Sequence, residues 1–348
     1  MNILLDDISF QNSLFPFGVT RSIAHIRVGI LTIFEKWQFL FPGKVFIASE
    51  KTASFFDESA CIQYPANFLP SYEFLQKVAQ QKENVAFTSD CKILEHPWQI
   101  FAYNDWAIRQ DFTMITSGRI SAKISSSNQA VCPENIFIEP GATINFAVLN
   151  AEKGPIYIGA NAEIMEGSLL RGPISIGTNS VLKMGTKMYG ATCIGPHCLC
   201  GGEIKNSVLM GFSNKAHDGY LGDSVIGEWC NIGAGSSNSN LKNNASVVKI
   251  WSKKYNDFVA AGNKCGLLMG DYSRCGINTS FNTGTVVGIC CSIFGTPFPS
   301  KFIDNFTWGS ERYIFEKAIA DINNWKKLKN EIITNHEIQS LKNIYQQQ

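Results

Sequence analysis

An aliphatic or soft residue recurs every sixth position through the middle of this chain, and few folds accommodate that period. Ile158, Ile164, Leu170, Ile176, Leu182, Met188, Ile194 and Cys200 stand in unbroken steps of six. A mostly small residue follows each of the first seven by four places: Ala162, Ser168, Ile174, Ser180, Thr186, Thr192 and Cys198. The register slips by two near Ile204 and resumes as Val208, Asn214, Tyr220, Ile226 and Ile232, with Ser224, Cys230 and Ser236 as small partners. After an interruption it returns as Met269, Cys275, Phe281, Val287 and Ile293, with Ser273, Thr279, Thr285 and Cys291. A helix needs apolar positions at a period of about 3.6 and an ordinary strand needs strict alternation, so a sustained six fits neither. It fits a solenoid in which each hexad is a short strand plus a turn, and stacked coils bury what one coil cannot.

The expected fold is a left-handed parallel β-helix over residues 136–299, with a small N-terminal α/β domain and C-terminal helices. The stretch 238–268 (NSNLKNNASVVKIWSKKYNDFVAAGNKCGLL) is too long and too charged for a turn and is expected to leave the prism as an external loop. Residues 1–116 form the expected α/β domain. NILLDD and KVFIAS read as strands around a helix in RSIAHIRVGILTIFEKWQFLF, and a second helix starts near Pro70. Trp98, Phe101, Ile108, Phe112 and Ile115 give a helical face joining this domain to the solenoid, and 117–135 is a linker. In 300–348, Ile314, Ile319, Ile322, Trp325 and Leu328 lie on one side of amphipathic helices expected to cap the open end or to pack on a neighbouring chain.

Lys and Arg (30) balance Asp and Glu (29), so no global field draws in nucleic acid or an anionic membrane. The start, MNILLDDISFQNSLF, lacks a basic segment followed by an apolar one, and no apolar run approaches about 18 residues. A soluble, cytoplasmic protein is expected. The eleven Cys show no paired C-x-x-C spacing and fall mostly at inward repeat positions, so they read as reduced core residues. Cys198 and Cys200 beside His197 lack the four converging ligands a zinc site needs, and no metal site is expected.

The chemistry concentrates between Lys205 and Asn240. His217 interrupts the solenoid among Lys205, Lys215, Asp218 and Tyr220, beside the small NIGAG turn. A neutral imidazole there can take a proton from an amine nucleophile, and backbone N–H groups around Gly233 and Ala234 can hold a developing oxyanion. His25, His96, His197 and His336 have no such surroundings and read as surface or capping residues. Lys249, Lys253 and Lys254 read as a solvated cluster, with a grip on a diphosphate as the functional alternative.

The segment KAHDGYLGDSVIGEWCNIGAG closely resembles the acetyltransferase half of the bifunctional bacterial enzyme family that makes UDP-N-acetylglucosamine, whose pattern is KAGHLTYLGD…NIGAG. His217, Tyr220, Leu221, Gly222, Asp223, Asn231, Ile232, Gly233, Ala234 and Gly235 keep the mutual spacing. The resemblance implies that His217 deprotonates the amine of glucosamine 1-phosphate for attack on the thioester of acetyl-CoA. It implies that Lys205 and Arg171 hold the sugar phosphate, that Tyr220, Asn231 and Asn240 contact and position the sugar, and that Gly233 and Ala234 lie against acetyl-CoA. It also implies a homotrimer with sites between chains. Over nearly its full length the chain is similar to the alternate, Bacteroidetes-type version of this family, through TRSIAHIRVGILTIFEKW, HPWQIF, RGPISIG, NLKNN and GLLMGDYSRCGINTSFNTGTVVG.

In that family the N-terminal unit is a sugar-1-phosphate nucleotidyltransferase with a G-G-x-G-T-R phosphate loop. Here the loop survives only as FPFGVTR, so that Gly18, Thr20 and Arg21 carry over as nucleotide-binding residues. The part before the solenoid, about 130 residues, is short for such a domain, and the stretch between NVAFTSD and CKILEHPW looks deleted. Mg²⁺ enters only if nucleotidyl transfer is retained, and Asp6 and Asp7 read as strand-end residues. Three functions stay open on this reading: an acetyltransferase using His217, a nucleotidyltransferase for UTP or dTTP that uses the solenoid for assembly, and a non-catalytic scaffold.

Overall fold

A computed structural model describes residues 1–8, 10–50, 61–81, 83, 85–295 and 298–347. Near the N-terminus three parallel strands pair in the order Val45–Ile47, Asn2–Asp6, Cys61–Pro65. Helices Ile33–Leu40, Tyr72–Gln81 and Asn104–Thr116 accompany them. The first helix is much shorter than the expected 21–41. Thr32 and Glu35 form a reciprocal capping box that fixes its start, because the Thr32 hydroxyl takes an otherwise orphaned helix N–H. Ahead of it Gly29 sits at φ +88, and a Cβ there would meet Asp111 Oδ2 at 2.5 Å. The Trp37 ring stacks on Tyr64 at 4.7 Å within an aromatic core that includes Phe68 and Phe74.

The hexads build a three-sided prism. One face carries nine parallel strands from Ile136–Ile138 to Phe302–Ile303, and the second runs from Thr143–Ile144 to the closing hairpin Thr307–Trp308/Glu311–Arg312. The third carries six, from Gln129–Val131 to Tyr220–Gly222, and the pair Ser237–Asn238/Ser280–Phe281 extends it. The strands thus run past both expected limits: the linker supplies the first, and the C-terminal extension supplies the last of each longer face. Ile158 pairs with Ile176 and Ile176 with Ile194, three hexads per coil. The expected aliphatic positions from Ile158 to Cys200 are all buried in one lumen, as are Met269, Cys275, Phe281, Val287 and Ile293.

Between these runs the expected register is off by one residue at Val208, Asn214 and Tyr220 and correct again at Ile226 and Ile232. Cys193 pairs with Val208, a coil of fifteen residues instead of eighteen, and Ile204 pairs with Leu221. Leu209 and Leu221 therefore fill the lumen and Lys215 is buried between them in sequence, whereas Val208 packs on the N-terminal unit and Asn214 and Tyr220 are half-exposed. Strand side chains alternate faces, so a one-residue error in register inverts every one of them.

The helix Asn104–Thr116 lies against the first-face strand Thr192–Ile194. Asn104 links the two units: it accepts the Gly29 N–H at 2.8 Å and donates to the Ala191 carbonyl at 2.5 Å. Lys36 and Asp111 form a buried ion pair beneath it. The 238–268 excursion leaves the prism as expected but folds back as a hairpin, Lys249–Ser252 with Asp257–Ala260, and Trp251 stacks on Phe302 at 4.9 Å.

Along the corner between the first and second faces, Asn161, Asn179, His197, Phe212, Trp229, Tyr272, Cys290 and Phe306 adopt left-handed backbone. This is where His197 belongs: its ring stacks on Phe212 at 4.7 Å, and Phe212 stacks on Trp229 at 4.3 Å. The C-terminal helices Phe315–Lys327 and Asn335–Gln346 pack on this same corner, burying Ala318, Ile322 and Leu341 with Trp229, Tyr272 and Phe306. Ile314 and Leu328 flank the first of these helices and are exposed at 52% and 74%, contrary to the expected stripe. Among the described residues no helix is long and apolar enough to cross a membrane.

Candidate functional site

His217 lies in the turn that carries the chain from the second face (Asn214–Lys215) to the third (Tyr220–Gly222), and its side chain is exposed. The backbone of this turn is held from two sides. Lys215 Nζ donates to the His217 carbonyl and, at 3.1 Å, to the Gly201 carbonyl of the coil before. The Asp218 carbonyl accepts the Gly235 N–H of the coil after at 3.0 Å.

Three residues on, Tyr220 starts a third-face strand. Asn240 Nδ2 donates to its phenol oxygen at 3.2 Å and to the Asp223 carboxylate, which also accepts Asn206 Nδ2 at 2.6 Å. Burial, then the negative field of Asp223, Tyr189 and Glu203, pushes the Tyr220 phenol up to about 12, so it stays protonated at neutral pH. Register sets Arg171, Tyr189, Lys205 and Gly222 in one column on this face, because the residue between each column member and its outward neighbour points into the lumen. Lys205 Nζ lies 5.7 Å from the centre of the Tyr189 ring, and Tyr189 donates to Glu203 at 2.6 Å. Among the described residues Arg171 meets only the exposed Glu152, at 3.4 Å.

The structure thus brings Lys205, Tyr220 and Asn240 together on the third face, with Arg171 two coils away and His217 at the adjoining corner. Gly233 and Ala234 occupy the next turn along that corner, and Asn278 N–H donates to the Ala234 carbonyl at 2.7 Å. A Cβ on Gly233 would lie 2.4 Å from the Gly276 backbone, so this close stacking requires glycine. Asn231 lies elsewhere, on the second face in register with Asn214 and Arg274. Glu203, Tyr189 and Asn206 complete the polar surroundings and escaped the sequence reading, while Asp223, a motif residue given no role there, is buried beneath them. The outward alternation of third-face strands is the signal that finds Glu203 and Tyr189.

The three N-terminal residues are engaged differently. Arg21 pairs with the buried Asp271 at 2.5 Å and with Glu228 at 2.8 Å, and the Thr20 hydroxyl also binds Asp271. These two carboxylates, after the opposing effect of burial, hold the Arg21 guanidinium well above its ordinary range. Gly18 to Ser22 line one wall of a cavity of about 620 Å³ whose other wall is His336, Ser340 and Asn343 of the last helix. Asp7 accepts both the Ser49 N–H and its hydroxyl, and among the described residues no group of three or more His, Cys, Asp or Glu is placed to hold a metal ion.

Residues 2–68 and 49–120 match the family pattern described as Sugar nucleotidyl transferase. The chain is 34% identical over 117 residues to the bifunctional protein GlmU of Methanocaldococcus jannaschii, covering 33% of this chain and 28% of that protein. It is 36% identical over 92 residues to the bifunctional sugar-1-phosphate nucleotidylyltransferase/acetyltransferase of Sulfurisphaera tokodaii, covering 26% and 23%. A match to the GlmU of Methanococcus aeolicus is 38% identical over 88 residues, covering 25% and 20%. A solved hexapeptide transferase family protein from Anaplasma phagocytophilum aligns over 64% of this chain and 86% of its own at 13% identity, with a TM-score of 0.18. The family pattern covers only the N-terminal part of the chain, and each alignment spans less than a third of its relative's length, so the chain is similar in parts to GlmU-like bifunctional sugar nucleotidyltransferase/acetyltransferases.

Proposed function

We propose that this protein transfers the acetyl group of acetyl-CoA to the amine of an amino-sugar 1-phosphate, glucosamine 1-phosphate being the acceptor of choice. The observation that carries this reading is an exposed imidazole at a solenoid corner, three residues before a protonated phenol that shares Asn240 with Asp223. His217 takes a proton from the sugar ammonium's conjugate amine as its nitrogen attacks the thioester carbon. The tetrahedral oxyanion is held by N–H groups of the Gly233–Ala234 turn. Its collapse breaks the C–S bond, and the proton on His217 passes to the CoA sulfur, leaving the N-acetyl sugar and free thiol. Lys205 and Arg171 sit in one column two coils apart, about 10 Å at strand spacing, and flank a phosphate between them. Tyr220 and Asn240 orient the sugar, and Asn231, on the second face, stays outside this group.

A homotrimer is part of the proposal. The corner that bears His217 also exposes Phe146, Met184, Ile277 and Phe294, the kind of apolar surface a neighbouring subunit covers. His217→Ala is expected to lower kcat for acetyl transfer by about 10²- to 10⁴-fold with unchanged melting and mass in solution. Unchanged turnover rejects the reading.

The family pattern over 2–120 favours a second activity, Mg²⁺-dependent transfer of a nucleotide from UTP or dTTP to a sugar 1-phosphate. Pyrophosphate release tests it, and silence across the common nucleotides and sugars ends it. If both assays are silent, the solenoid is a scaffold.

A further inference from the structure

Second-face lumen residues run, coil by coil, through Ile164, Leu182, Cys200, Lys215, Ile232, Cys275 and Ile293. Six are apolar or soft, and one is a lysine. Its residue is 2% exposed, and among the described residues it has no ion-pair partner. Burial, opposed by the charges of Cys200, Asp218 and Cys275, pulls its ammonium below the ordinary lysine range. Sealing an ammonium in an apolar lumen without a counter-ion costs several kcal/mol, and an apolar residue of like volume would be neutral or stabilising. Stability therefore does not account for Lys215.

Its contacts do. The ammonium donates to the carbonyls of Gly201 and His217, tying the turn of one coil to the strand end of the coil before. The corner below is the short one: only Gly201 and Gly202 separate Cys200 from Glu203, in a coil where Cys200 pairs with Lys215 across fifteen residues instead of eighteen, so the four-residue turn 216–219 has no matching turn beneath it. The Asp218 carbonyl, on the next peptide, is gripped by Gly235 N–H from the coil after. The backbone under His217 is held from inside the prism and from above, while its side chain stays exposed.

We propose that Lys215 is a positioning residue: its sealed ammonium fixes the backbone of the His217 turn from within the lumen, so that the imidazole meets the amine in one orientation. This rests on the acetyl-transfer reading above. Pre-organisation of this kind acts on kcat more than on binding, because the substrates touch other side chains.

The test uses the full chain with Lys215→Met, Lys215→Gln and His217→Ala, glucosamine 1-phosphate and acetyl-CoA. Lys215→Met is expected to lower kcat by at least about tenfold, toward the ~10²-fold that a 1 Å misplacement costs, with both KM values within about twofold. Hydrogen exchange of a peptide spanning 214–220 should accelerate while the rest of the solenoid is unchanged. Lys215→Gln, which keeps an N–H donor, should recover part of both. Wild-type kcat in Lys215→Met, or unchanged exchange of 214–220, overturns the proposal. If Lys215→Met does not fold, Lys215→Gln is judged by the same two readouts, and an unaltered turn and kcat overturn it. An active His217→Ala rejects the acetyl-transfer reading instead, and the exchange measurement still judges the anchor.

Discussion

Arg21 shows how much a residue's role depends on what lies opposite it. The segment FPFGVTR, by its resemblance to a phosphate loop, puts Thr20 and Arg21 where a nucleotide would be sought, yet in the folded chain both bind Asp271, and Arg21 also binds Glu228. Asp271 is fully buried and has no water to fall back on. Asp271→Ala, which strands the guanidinium, is expected to cost about 3–5 kcal/mol of stability. Chemical denaturation of the full chain reads this directly, and a midpoint equal to wild type would mean that the two units do not depend on the joint. No spacing rule connects Arg21 to a carboxylate 250 residues away. His217, by contrast, was legible because its neighbours in sequence are its neighbours in space.

At the scale of elements, what failed was register and what held was periodicity. The helix expected over 21–41 is shorter because Thr32–Glu35 caps a later start, and Ile314 and Leu328 leave the apolar stripe because they cap the helix Phe315–Lys327 at its two ends. The last two helices are joined by Lys326 to Glu337 at 2.5 Å, and Tyr272 donates to the same carboxylate at 3.0 Å. Burial raises the Glu337 carboxyl, but Lys326 and Thr334 outweigh it and hold the group below the ordinary glutamate range. A carboxyl depressed on folding adds stability above its unfolded value, about 4.3, and that stability is lost as pH falls through the lower folded value. Acidification below about pH 4.3 should therefore loosen Asn335–Gln346 first, seen as faster amide exchange in that helix. In Glu337→Gln the acid-dependent part of this change should vanish; equal loosening in both proteins would rule the contact out as its cause.

For the whole molecule the cysteines report how tightly the prism is closed. Cys61, Cys91 and Cys132 are half-buried, and the other eight are buried, most of them in the lumen or against the N-terminal unit. Burial pushes the thiols of Cys198, Cys265 and Cys291 up to about 12, which keeps them protonated and unreactive at neutral pH. A thiol reagent should label no more than three of the eleven in the native protein and all eleven in denaturant. Fast labelling of a fourth would show that the coils breathe open.

The sequence by itself determined the solenoid, because a six-residue period has one geometrical solution and each hexad repeats it locally. It also determined the stretch holding the candidate site, because Lys205, His217, Tyr220 and Asn240 lie within two coils and stacking turns sequence distance into contact. Only the tertiary structure decided which way side chains point after the shortened coil, where one residue of register exchanges lumen for solvent. That step sealed Lys215 inside and turned Tyr220 outward. It also decided what Arg21 binds, since the energy of a buried ion pair depends on a partner that folding brings from the far end of the chain.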